Sequence, residues 1–247
     1  MDIDDLYNRF SIIVSKIEEA ITSVERNLYK ILVLYFFGKS SKTFRSIHLL
    51  CKHRFSEDAG ILTRSLFDLV VTLLYISRAS DERALLYAEY GIILKKRLHE
   101  TLAKEPEDPW RQKILASKSS EARAKDRAEY ERVKNKYTNK YKWSGLSIKD
   151  MAKEVGLNWH YDFVYYQLSE LAHTGPNGVT NFMHFDEQNG LSFKNSSMED
   201  IERVWTTTSI YFLFVLDEVN DVFKLRLEEE IKKISMDLKA LKKEHES

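Results

Sequence analysis

Ser169 and His173 stand four residues apart in YYQLSELAHTG (165–175), so a helix there would carry both on one side. With Trp159, Asp162 and Tyr166 they follow a 3-4-3-4 spacing and predict a single polar and aromatic stripe. A histidine in the last turn of a helix is favoured as the imidazolium by the dipole and can exchange a proton near neutral pH. The same residue can instead bond the last carbonyls, with TGPNG (174–178) ending the helix. Far upstream, RSLFD (64–68) sets Arg64 and Asp68 four apart in an otherwise apolar stretch. Burying two ions is costly unless they are paired, so a core helix that keeps them must satisfy them. The expected site is a cluster of Arg64, Asp68, Ser169 and His173. His173 would act as general acid or base, Arg64 would bind phosphate, and Asp68 and Ser169 would orient them. The plainer expectation is a buried ion pair beside a helix cap.

Other chemistries fit less well. ELAH (170–173) is one Glu-x-x-His, but a carboxylate-bridged di-metal bundle needs two, and KKEH (242–245) has lysine where glutamate is required. His184 with Asp186 and Glu187 could ligate a metal from a loop, though their spacing is poor. No metal and no cofactor is expected. LSIKDMAKEVGL (146–157) has the outline of the first helix and turn of a helix-turn-helix. The helix after it begins NWHYDFVYYQL (158–168), which is aromatic, acidic at Asp162 and without Arg or Lys, so Trp159 and Phe163 read as core. The chain is neutral overall, yet Arg111 to Lys142 holds 11 Lys and Arg against 4 Asp and Glu. Arg123, Lys125, Arg127, Arg132, Lys134 and Lys136 could therefore form a nucleic-acid-binding face, or simply a solvated helix face.

These residues need elements to position them. Gly (8) and Pro (3) are scarce and charged residues make up 31%, which predicts long helices. Leu6, Phe10, Ile13, Ile17, Ile21, Val24, Leu28, Ile31 and Tyr35 recur at steps of three and four, predicting one N-terminal helix ending at Gly38. A second helix is expected over 42–54. A third, apolar almost all round, is expected over 57–78 with Ser56 as its N-cap, and a fourth over 81–103. Ser147 and Ser197 read as caps of a short helix and of one long final helix. Gln-Asn-Gly at 188–190 suggests a small hairpin. The lone Cys51 rules out a disulfide framework and reads as a buried hydrophobe. No stretch reads as a signal peptide, and the longest apolar run, IYFLFVL (210–216), is too short to span a bilayer, so a cytoplasmic protein with no membrane partner is expected.

ILTRSLFDLVVTLLYI (61–76) followed by YYQLSELAHTG resembles a prokaryotic helical family known as domain of unknown function 5677. Its pattern is an Arg-Ser-x-x-acid helix, a Tyr-rich helix ending Ser-x-x-x-His, and a long final helix. The likeness spans most of residues 40 to 225, with Asp68 where glutamate is expected. The family carries no settled activity. Its bundle character is also similar to HEPN domains, nucleotide-binding or RNA-cutting modules of toxin and phage-defence systems. The Arg-to-His spacing of their ribonucleases is missing here, since RSIH (45–48) is too short and Arg45 to His53 too long.

The expected architecture is an all-α multi-helix bundle with long N- and C-terminal helices. It would form one domain over 1–247, with a charged helical arm over 105–146 and an irregular or hairpin insert over 174–197. The expected role is that of a binding component, acting as a homodimer or with a partner helical protein, with nucleic acid reached through the basic arm. Phage defence or a toxin system would be its setting. The alternative is a metal-independent ribonuclease using His173 and Arg64. Enzyme activity is left open.

Overall fold

The computed structural model describes residues 2–23, 27–104, 108–116, 119–137, 142–172, 179–186, 190–193 and 196–244. The fold is all-α with one two-stranded hairpin, as the scarcity of helix breakers predicts. The chain divides into two compact units, Met1–Tyr75 with Met151–Ser247, and Ile76–Asp150.

In the larger unit, α1 (Ile3–Ala20), α2 (Leu28–Lys52), α10 (Met198–Phe223) and α11 (Glu228–Glu244) pack on one another. Helix α2 packs along α10, where Phe44 stacks on Phe212 with centroids 4.4 Å apart and on Trp205 at 4.9 Å. Helix α1 lies against α2 and α11, bridged by Arg9 to Asp237 and by Lys16 to Glu230. The predicted N-terminal helix is interrupted. Asn27 accepts a hydrogen bond from the Lys30 amide at 2.8 Å and starts α2, which then runs straight through Gly38. Leu28, Ile31 and Tyr35 face solvent, and the buried stripe of α2 is Val33, Phe36, Phe37, Ser40, Phe44, Ile47, His48 and Cys51. Burial pushes the Cys51 thiol up to about 12, as suits an inert core cysteine.

The long final helix also divides. Lys224 and Arg226 take left-handed dihedrals without any glycine, and Asn220 holds the resulting turn. Its side-chain carbonyl accepts from the Leu227 amide at 2.9 Å and its side-chain amide donates to Glu228 at 3.1 Å.

Helix α3 (Ser56–Ser77) is the apolar helix the sequence predicts. By length and composition it could cross a bilayer, although polar residues interrupt its apolar run; 67% of its apolar window is buried within the fold. Ser147 and Ser197 cap α7 (Ile148–Glu154) and α10 as expected, their hydroxyls accepting from the amides of Asp150 and Asp200. Gly156 closes α7 with φ +81°. A π-helical segment, His160–Tyr165, then continues into α8 (Tyr166–Ala172). In the expected insert a short helix, α9 (Val179–Phe182), precedes the antiparallel strands β1 (Met183–Asp186) and β2 (Gly190–Phe193).

The smaller unit contains α4 (Ser80–Leu102), α5 (Pro109–Ala116) and α6 (Ser120–Val133). Much of the expected charged arm is therefore helical, and the unit it belongs to has a core of its own. Tyr90, Ile93 and Val133 are buried together under Ile92, Tyr130, Tyr137 and Trp143.

Candidate functional site

Helix α3 brings Arg64 to the inner face of the π segment and α8. The guanidinium donates through Nε to Ser169 Oγ at 2.9 Å and through Nη2 to the Tyr165 hydroxyl at 2.8 Å. Its central carbon lies 4.7 Å from the Tyr165 ring centroid. Asp68 is one turn further along α3. Burial lifts its carboxyl from 3.8 to about 6, although the charge of Arg64 and a hydrogen bond from Tyr165 both oppose the rise. Burial also raises the Tyr165 hydroxyl, and the neighbouring Asp68 charge adds to that. Asp68 Oδ1 is shielded from solvent and has no hydrogen-bond partner among the described residues.

Three of the four predicted residues therefore meet: Arg64, Asp68 and Ser169. His173 lies outside the described residues. Sequence reasoning missed Tyr165, the group that bridges Arg64 and Asp68. Its signal was present, because Tyr165 is four residues before Ser169 and shares its face of a helix.

The predicted stripe of Trp159, Asp162, Tyr166 and Ser169 does not hold as one face. Ser169 points inward to Arg64, whereas Trp159 and Tyr166 are 56% and 59% exposed. A π turn bonds residue i to i+5 and takes in extra chain, which turns the register between Trp159 and Ser169. The inner side is Tyr161 and Tyr165, stacked 4.7 Å apart and packed on Phe67 of α3, with His160 against Tyr211 of α10. The outer side is Trp159, Phe163 and Tyr166. Trp159 and Phe163 stack nearly parallel, 7° and 5.7 Å apart. Phe163 is 59% exposed, so neither it nor Trp159 is core, contrary to expectation.

A cleft of about 230 Å³ opens beside this segment. Helix α3 lines it with Glu57 and Thr63, α8 with Tyr166 and Glu170, and α10 with Asp200 and Arg203. Thr63 is fixed from behind by a 2.6 Å hydrogen bond to Thr208. Thr63 and Leu168 border Arg64 and Ser169 in sequence, but Arg64, Asp68 and Ser169 themselves are not among the described lining residues.

In the smaller unit, Glu89 is 5% exposed and receives Arg132 and Lys136, each at 2.6 Å. Burial pushes its carboxyl up, yet the hydrogen bonds from these two cations outweigh it and leave Glu89 below the usual range. Lys134 pairs with Glu131. Within the predicted nucleic-acid-binding face, Arg132, Lys134 and Lys136 are thus engaged by carboxylates, and Arg123, Lys125 and Arg127 have exposed side chains. Among the described residues, no group of three or more His, Cys, Asp or Glu side chains is placed to hold a metal ion. Glu187, one of the three residues weighed as loop ligands, lies outside the described residues.

A family model described as a family of unknown function (DUF5677) matches residues 30–191. The match starts and ends earlier than the expected span of 40 to 225 and stops before α10. No curated protein and no solved structure matches the chain.

Proposed function

Since the chain belongs to the family of unknown function DUF5677, whose description assigns no activity, we propose from the geometry that it is a helical interaction module. Its contact surface is the outer side of the π segment and α8. One observation carries this reading: Trp159, Phe163 and Tyr166 each expose more than half of their surface on one short segment. Large aromatic side chains are the usual anchors of protein interfaces, because they bury much area and lose little rotamer freedom. The inner side of the same segment is held in place by Arg64, Tyr165 and Ser169. The polar cluster thus serves to present the aromatic face, and π turns recur at functional sites.

A ribonuclease-type centre would need the guanidinium of Arg64 to meet a phosphate. Its Nε and Nη2 are both committed to neighbours, which favours the interaction reading. The test places a photoreactive phenylalanine analogue at Phe163 and, as control, at the exposed Lys125, with irradiation in the producing cells. A discrete adduct of defined mass at position 163, absent at 125, is expected. The same yield at both positions, or no adduct at either, refutes the reading.

A further inference from the structure

The aromatic face ends in a charged cleft, and this points to the kind of partner it takes. Trp159 and Phe163 stack on each other, and further along the same segment Tyr166 and Glu170, four residues apart on α8, both line the cleft. Among the described residues, the side chains that charge the cleft are three carboxylates, Glu57, Glu170 and Asp200, against one guanidinium, Arg203. Arg203 is already occupied, donating to Asp200 at 2.9 Å. Glu57 accepts from Ser196 Oγ at 2.7 Å. Glu170 Oε2 is withdrawn from solvent and has no hydrogen-bond partner among the described residues. Among the described residues the cleft therefore carries a net negative charge, and Tyr166, which lines it, is 59% exposed.

Resting on the interaction reading above, we propose that the partner is a polypeptide segment that lays apolar side chains along Trp159 and Phe163 and inserts an arginine or lysine into the cleft. Three features fit that occupant. A long cation can donate to Glu170 and Glu57 while its stem covers Tyr166, combining charge-assisted hydrogen bonds with a cation–π contact. The volume, about 230 Å³, falls below the roughly 300–1,000 Å³ of pockets for whole drug-sized ligands and suits a single long side chain. An anion is disfavoured, because Arg203, the one cation among the described lining residues, is neutralised by Asp200. A nucleic-acid strand could stack on the aromatic rings but would meet these carboxylates with its phosphates.

The experiment measures anisotropy of fluorescein-labelled hexa-arginine on the full chain at physiological salt. Hexa-glutamate and an oligouridylate of equal length serve as comparison probes. Hexa-arginine is expected to bind, and Glu170→Gln and Glu57→Gln are each expected to weaken it roughly tenfold, the loss of one charge-assisted hydrogen bond. Asp217→Asn, an acidic change on α10 outside the cleft lining, is expected to leave binding unaltered. Equal weakening by all three variants means that hexa-arginine senses only overall charge, and it overturns the proposal. Tighter binding of the oligouridylate overturns it as well. If the Phe163 cross-link forms while Glu170→Gln leaves hexa-arginine binding intact, the cationic partner is wrong and the interaction module stands. If the cross-link itself is absent, both fall together.

Discussion

Asp68→Asn is the most informative single change, because its effect should reverse the usual expectation for breaking a charged cluster. The carboxyl of Asp68 titrates at about 6 in the fold, against 3.8 for an ordinary aspartate, with burial as the cause. A raised folded value means that the folded protein holds the proton more tightly than the unfolded chain does. Asp68 therefore contributes its full stabilisation below pH 3.8, and that contribution is lost as pH rises through about 6. About two pH units correspond to roughly 3 kcal/mol carried as a penalty at pH 8. The attraction of Arg64 is already contained in that figure, since it shapes the folded value. Asparagine keeps the size, removes the ionisation and weakens the bond from Tyr165 by about 1 kcal/mol. The variant should be more stable than the parent by roughly 2 kcal/mol at pH 8 and within about 1 kcal/mol of it at pH 4.5. Urea unfolding at both pH values measures this in a Trp110→Phe/Trp143→Phe background, where only Trp159 and Trp205 of the larger unit report. A variant less stable than the parent at pH 8 would refute the reasoning, for it would mean that Arg64 holds Asp68 as a strong ion pair.

In the smaller unit, Glu89→Gln should cost about 2 kcal/mol, because Arg132 and Lys136 lose the one carboxylate they share. The figure is kept below that for a fully buried pair since both cations are partly solvated. Glu89 is lowered from 4.5, so its contribution is present above 4.5 and lost as pH falls through the lowered value. The variant's unfolding midpoint should consequently vary less between pH 3 and 6 than the parent's, and an unchanged acid transition would count against this clamp. Asn220→Ala should cost roughly 2 kcal/mol by leaving the Leu227 amide without its acceptor. Limited trypsin digestion should then cut at Lys224 or Arg226 several times faster, and unaltered cutting would show that α11 is held by other contacts.

What was legible in the chain was whatever a local signal decides. The span of α3 followed from an apolar surface on every side, and the caps of α7 and α10 from serines ahead of acidic turns. The hairpin followed from a glycine after asparagine. What was not legible depended on partners distant in sequence. Nothing around Lys224 marks a left-handed turn, because it is Asn220, packed from the preceding helix, that stabilises the turn without glycine. The N-terminal periodicity carried straight across Asn27, since spacing alone cannot tell a continuing stripe from two stripes in different environments. The two halves of the polar cluster were named, but Tyr165 was passed over for Tyr166, one residue on. That slip comes from the register, whereas Trp159 and Phe163 were placed in the core on their aromatic type alone. An ideal helical register over 158–173 puts Trp159, Tyr166 and Ser169 on one side, and a π turn does not keep that register. With the wider turn, Tyr165 and Ser169 reach Arg64 while Trp159, Phe163 and Tyr166 face outward. Local pattern and global fold disagree along this one segment, and such disagreement is expected where a chain has been shaped for function rather than for stability alone.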